Sequence, residues 1–277
     1  MAAWDDASWL LRLDPQAIAD LRELLVDPSL DPKAQSLWLS ALAKAGTPEA
    51  QSLVLAMLED ARAGESLRGG AAAALFDVVA PTAELTGGVA AHVAALKSLG
   101  PVESGTLLAL GSIARCDDSA QAIAALESFG DTARRLDAED FWLDALANAR
   151  SHRLDAIARR ALDDPREHVR EAGVRALGQV EGEGSFAALR EIAASHAEPR
   201  LRCAALQQLA PGPEAGSDEV LLAAAEADRD PFVRKSALIA LARRGIHAVH
   251  RTALERLAQQ DADDAVRALA QRMLHGR

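Results

Sequence analysis

Apolar residues in the second half of the chain recur on a fixed period. Val169, Ala172, Ala176 and Leu177 flank Arg170, and Leu201, Ala204 and Leu209 flank Arg202 in the same places. Val233, Ala237, Ala240 and Leu241 do so around Arg234, and Val266, Ala270 and Leu274 around Arg267. The four arginines are 32, 32 and 33 residues apart. Carried toward the N-terminus, the template finds further anchors at Gln35, Arg68, Glu103 and Glu139, so that all eight are separated by 31 to 36 residues. Seven places after each anchor stands a leucine: Leu42, Leu75, Leu110, Leu146, Leu177, Leu209, Leu241 and Leu274. Apolar positions at −1, +2 or +3 and +6 or +7 fall on one face of a helix.

Between the anchor helices lie shorter amphipathic segments, at 16–26, 49–60, 154–162, 186–194, 220–227 and 249–259. Each repeat therefore predicts helix, short turn, helix. A single hairpin of this kind cannot bury its own apolar face, and stacked neighbours supply the core. The pattern predicts an all-α fold, an α-solenoid of about eight helical hairpins. Residues 1–14 precede the first full hairpin, and Trp4, Trp9, Leu10 and Leu13 are expected to cap the end of the array. Residues 15–277 are expected to form one solenoid, with irregular repeats over 15–150 and regular ones over 151–277. The loop at 210–216 breaks the helical pattern but not the spacing, so no boundary is placed there.

Asp164, Glu198, Asp230 and Asp263 precede the last four anchor helices, where an acidic residue suits a helix start, and Pro165, Pro199 and Pro231 follow three of them. The alternation of acid and arginine predicts a structural ladder in which Asp164, Glu198, Asp230 and Asp263 lie near Arg170, Arg202, Arg234 and Arg267. Gln35, Glu103 and Glu139 lack the arginine, so the first half is expected to stack less regularly.

Composition agrees with helix: Tyr is absent and aromatic residues make up 3% of the chain, too few for the pleated faces of a β-rich domain. Charge is uneven. Residues 1–140 hold 10 Lys and Arg against 21 Asp and Glu, while 141–277 hold 20 of each. Nucleic-acid binders cluster cations, and this balance excludes that class. Cys116 and Cys203 have no metal-type spacing and are expected as small buried hydrophobes. With no signal peptide and no run of about 18 apolar residues, no membrane span is expected and a cytoplasmic location is.

No catalytic or cofactor motif emerges. Gly-x-Ser-x-Gly and Gly-x-x-x-x-Gly-Lys are absent, and Gly69-Gly70 and Gly87-Gly88 sit within helical periodicity as close-packing or helix-loosening positions. His247 and His250 share a helical face without a carboxylate to complete a metal motif. Asp5-Asp6, Asp117-Asp118 and Asp163-Asp164 suit helix starts.

The run Asp164-Pro165-Arg166-Glu167-His168-Val169-Arg170-Glu171-Ala172-Gly173-Val174-Arg175-Ala176-Leu177-Gly178 resembles HEAT repeats of the bacterial phycobilin-lyase type, clearly over about 150–277. The resemblance implies a scaffold or adaptor whose concave helical face grips another macromolecule, or a bilin-handling enzyme. A second resemblance, carried by residues 39–50, 81–85 and 107–113, is to the helical horseshoe of vitellogenin-like lipid transfer proteins, and implies a helical support domain with lipid as a partner.

On each anchor helix, positions +1 and +5 face away from the apolar side. In the second half these are Glu171, Arg175, Cys203, Gln207, Lys235, Ile239, Ala268 and Arg272. In the first they are Ser36, Ser40, Gly69, Ala73, Ser104, Leu108, Asp140 and Asp144. The first set mixes charge with an exposed isoleucine and suits a protein partner better than nucleic acid. Glu171, Arg175, Gln207, Lys235, Ile239 and Arg272 are the expected partner-binding residues of a non-enzymatic module with no cofactor.

Overall fold

The computed structural model describes residues 2–60, 62–117, 119–211, 216–245 and 248–275. Among these residues there are helices and turns and no strand, so the fold is all-α. The chain packs as two compact units, residues 1–152 and 153–277. The division lies close to the change from irregular to regular repeats at 150/151.

The first unit contains α1 (Ala2–Leu13), α2 (Pro15–Leu25), α3 (Pro32–Ala45), α4 (Pro48–Glu59), α5 (Glu65–Ala74), α6 (Ala83–Ala94), α7 (Pro101–Asp117), α8 (Ala120–Ser128), α9 (Gly130–Leu136) and α10 (Glu139–Asn148). The anchor helices α3, α5, α7 and α10 pack in one layer, each on the next, and α2, α4, α6 and α8 form the second layer. Two insertions break the two-helix period, a 3-10 turn at Leu75–Asp77 and the short α9. Local chemistry sets the helix starts. Asp14, Asp31 and Thr47 accept backbone N–H bonds as N-caps, each followed by proline at the first helical position. Gly46 ends α3 in the left-handed conformation that glycine adopts without strain.

The second unit contains α11 (Leu154–Ala161), α12 (Glu167–Leu177), α13 (Glu183–Ser195), α14 (Pro199–Leu209), α15 (Ser217–Ala227), α16 (Pro231–Arg244), α17 (Ala248–Gln260) and α18 (Asp264–Leu274). They pair as the hairpins α11/α12, α13/α14, α15/α16 and α17/α18. The anchor helices α12, α14, α16 and α18 stack in sequence order, and α13, α15 and α17 stack behind them.

The leucines in register form the spine of both cores. Leu42, Leu75, Leu110, Leu146, Leu177, Leu209 and Leu241 are fully buried, and Leu274 in the last helix is half-buried. The glycines set how closely helices approach. A Cβ at Gly111 of α7 would lie 2.2 Å from the Ala145 carbonyl oxygen of α10, so only glycine fits there. Gly88 likewise leaves room for Leu55, as expected of a close-packing position.

The expectation for residues 1–14 needs correcting at two residues. The segment is a helix that packs on α3 in the anchor layer, but Trp9 and Leu10, two of the four expected contact residues, are exposed. Trp9 and Leu10 are 57% and 58% exposed. Leu11 is buried instead, 31 residues before Leu42 and in register with the other leucines. Arg12 closes the end of α3, its Nε donating to the Ala45 carbonyl at 2.7 Å and its Nη2 to Lys44 at 2.9 Å. The expectations for the side chains of Trp4, Asp5, Asp6, Leu13, Asp117 and Asp118, for His247 and for 212–215 of the loop lie outside the described residues.

Candidate functional site

The arginine ladder of the second unit is present, with Glu198 among its rungs and with Asp228 and Asp261 in place of the expected Asp230 and Asp263. Arg202 donates from Nε and Nη2 to the two carboxylate oxygens of Asp228, both at 2.8 Å, and Arg234 grips Asp261 the same way at 2.8 and 2.7 Å. Arg170 reaches Glu198 at 2.7 Å. Each bond runs forward to the following repeat. The third nitrogen turns back to the carbonyl six residues earlier: Arg170 to Asp164, Arg202 to His196, Arg234 to Asp228 and Arg267 to Asp261. One guanidinium thus ties its own inter-helix turn to the next one.

Asp230 and Asp263, expected as rungs, are occupied as N-caps of α16 and α18, accepting from Phe232 N and from Ala265 and Val266 N. Asp164 is held by Arg166, whose hydrogen bond keeps its carboxyl below the usual range. Burial pushes the Asp228 and Asp261 carboxyls up, but the arginine bonds and the backbone N–H groups of Asp230 and Asp263 outweigh it and hold both below the usual range. The first unit uses the anchors alike where it can. Gln35 donates to Leu25 O, and Arg68 donates to Leu58 O and to Glu103.

With the ladder occupied by structure, the surface chemistry lies on the outward positions of the anchor helices. Glu171, Arg175 and Lys235 are half-buried, and Gln207, Ile239 and Arg272 are exposed. Cys116, expected to be buried, is exposed, whereas Cys203, which register places on the outward face, is 4% exposed. Burial raises its thiol pKa against a hydrogen bond with Ser236 of α16, so the neighbouring helix covers it.

The sequence reading missed Phe232. It is 58% exposed and stands with Ile239, 40% exposed, as the pair of exposed large apolar residues among the described residues of the second unit. Residues 232, 235, 239 and 243 are spaced by three, four and four, so Phe232, Lys235, Ile239 and Arg243 form one line down α16. The Lys235 ammonium lies 6.0 Å from the Phe232 ring centroid. On α18, which packs on α16, Arg272 holds the position equivalent to Ile239. Lys235, Arg243 and Arg272 have no ion-pair partner among the described residues, whereas eleven other arginines of this unit do.

Elsewhere most polar groups bordering grooves are consumed by the fold. A groove of about 460 Å³ in the first unit is bordered by Asp27 and Asp60, whose carboxylates accept the Ser29 and Arg62 backbone N–H groups. His92 on α6 has a buried Nε2 without a hydrogen-bond partner, and burial lowers its pKa. Among the described residues no three His, Cys, Asp or Glu side chains are placed to hold a metal ion, and no helix is long and apolar enough to cross a membrane.

Comparison with known proteins agrees with the repeat. Residues 186–275 match the family model of HEAT repeats, within the region where the sequence resembles them. No curated protein matches the chain. Among solved structures, the complex of CpcE and CpcF of phycocyanin lyase from Nostoc is similar at 20% identity, with 89% of this chain and 96% of that one covered and a TM-score of 0.46. Human deoxyhypusine hydroxylase is similar at 19% identity, covering 95% and 97%, with a TM-score of 0.40. Computationally designed armadillo repeat proteins for modular peptide recognition share 20% identity over 92% and 98%, with a TM-score of 0.24.

Proposed function

We propose that the chain is a non-enzymatic protein-interaction module and that the outward face of α12, α14, α16 and α18 binds the partner. The observation that carries this reading is the line on α16. The exposed large apolar side chains described in the second unit, Phe232 and Ile239, share one helical face with Lys235 and Arg243. An apolar centre with a charged border is how protein interfaces are built. Glu171, Arg175, Gln207 and Arg272 extend the face onto the neighbouring anchor helices. The ladder beneath holds successive anchor helices at fixed spacing, so the surface is preformed.

The test is affinity purification from native extract with two baits, the unaltered chain and Glu171→Arg/Lys235→Glu/Ile239→Asp, followed by mass spectrometry of proteins and lipids. A protein captured by the first bait and lost by the second supports the reading. Capture that is indifferent to the substitutions, or recovery of lipid or bilin with no protein partner, overturns it.

A further inference from the structure

We infer that the segment bound by this face is acidic and carries large apolar side chains. The inference rests on the face being an interaction surface and names what that surface selects. Two properties coincide on α16 that are separate elsewhere in the unit. Arginines on the other faces are largely matched by carboxylates: Arg159 by Asp155, Arg190 by Glu183, Arg244 by Asp218 and Arg256 by Glu226. Among the described cations of this unit with no ion pair, Arg160 and Arg229 donate to backbone carbonyls elsewhere, whereas Lys235 and Arg243 flank Ile239 on its own helix and Arg272 holds the equivalent position on α18. These last three therefore border the apolar pair Phe232 and Ile239.

The exposed positions in register with this line on the flanking helices add no negative charge: Gln207 on α14, and Ala265 and Ala268 on α18. Unpaired cations around an apolar strip attract carboxylates and disfavour a basic partner. Phe232 and Ile239 are seven residues apart, about 10 Å along the helix, so two apolar side chains of a bound segment fit between flanking acids. A uniformly charged polyanion leaves both apolar residues unmatched and meets a chain of net charge −11.

The probes are three fluorescein-labelled peptides of about 15 residues, roughly four helical turns. One contains Leu with Glu, one Leu with Lys and one Ser with Glu, and each is titrated against the full chain by anisotropy. The Leu/Glu peptide is expected to bind most tightly and to weaken at least about tenfold when salt rises from about 0.05 to 0.5 M. Ile239→Asp is expected to abolish this binding. Lys235→Glu/Arg243→Glu/Arg272→Glu is expected to reverse the preference so that Leu/Lys binds instead.

These substitutions are at the surface, and an unchanged thermal melt confirms the fold of each variant. Equal binding of Leu/Glu and Leu/Lys to the unaltered chain overturns the inference, as does binding that the α16 and α18 substitutions leave unaltered. Tighter binding of Ser/Glu or of a single-stranded oligonucleotide than of Leu/Glu overturns it in favour of a simple anion site. If a native partner is lost by the substituted bait while no acidic peptide binds, the face remains an interaction surface and the inferred chemistry alone falls.

Discussion

Arg202 and Asp228 join two repeats through a pair of parallel hydrogen bonds, with both side chains less than a tenth exposed. Such a pair costs more to break than it contributes, because either partner alone is a buried uncompensated charge. Asp228→Ala is expected to lower unfolding free energy by ~3–5 kcal/mol, and Arg202→Met/Asp228→Leu by less than that single change. Urea denaturation of the single variants and the double variant checks this.

The two units are expected to respond to acid in different windows. Asp228 and Asp261 have folded pKa values below 3.8. Their contribution is complete above the unfolded carboxylate value, about 3.9, and is lost as pH falls through the folded values. His92 is also shifted down, from 6.5, by burial against the attraction of Glu59 and Glu103. The folded state of the first unit therefore favours neutral imidazole. That contribution is complete above 6.5 and declines as pH drops below it toward the folded value. Hydrogen exchange is expected to show 1–152 loosening in milder acid than 153–277, with His92→Gln removing the difference near pH 6.

The leucine register gives a graded series. Leu177→Ala is expected to cost ~2–5 kcal/mol, as removal of a fully buried side chain does. Leu274→Ala, at a half-buried site in the last helix, is expected to cost about 1 kcal/mol or less. Thermal melts of the two variants test the ranking.

At the other end, Leu11→Ala is expected to destabilise the first unit by ~2 kcal/mol or more, whereas Trp9→Ala changes stability by less than about 0.5 kcal/mol. The opposite ranking shows that the aromatic residues do close the array.

Gly111→Ala is expected to cost ~1–3 kcal/mol because the added methyl meets a backbone oxygen. Gly64→Ala, with open space around its Cβ, serves as the matched control under the same denaturant titration.

The repeat was legible in the sequence because every copy buries the same leucine, and burial tolerates few alternatives. Leu11 escaped because its helix precedes the first complete hairpin and lacks a recognisable anchor. The rungs were misassigned for a local reason. Asp228-Arg229-Asp230-Pro231 offers two aspartates beside one proline, and periodicity cannot say which caps the helix and which meets the arginine. Geometry decides: Asp230, next to the proline, has the short reach of an N-cap, and Asp228 lies in the turn where Arg202 arrives. Phe232 was missed because it sits two residues before the anchor, outside the positions taken as outward. The i, i+3, i+7 spacing to Lys235 and Ile239 was the available signal.

The forward direction of the ladder bears on how such a chain can change length. Arg202 meets an aspartate 26 residues ahead and Arg234 one 27 ahead. Excising 203–234 would bring Asp261 to 27 places beyond Arg202, so the joint could close again on an equivalent carboxylate. Repeats held this way behave as cassettes. Shortening or duplication by whole periods preserves every remaining rung, while an insertion of a few residues between an arginine and its aspartate breaks one.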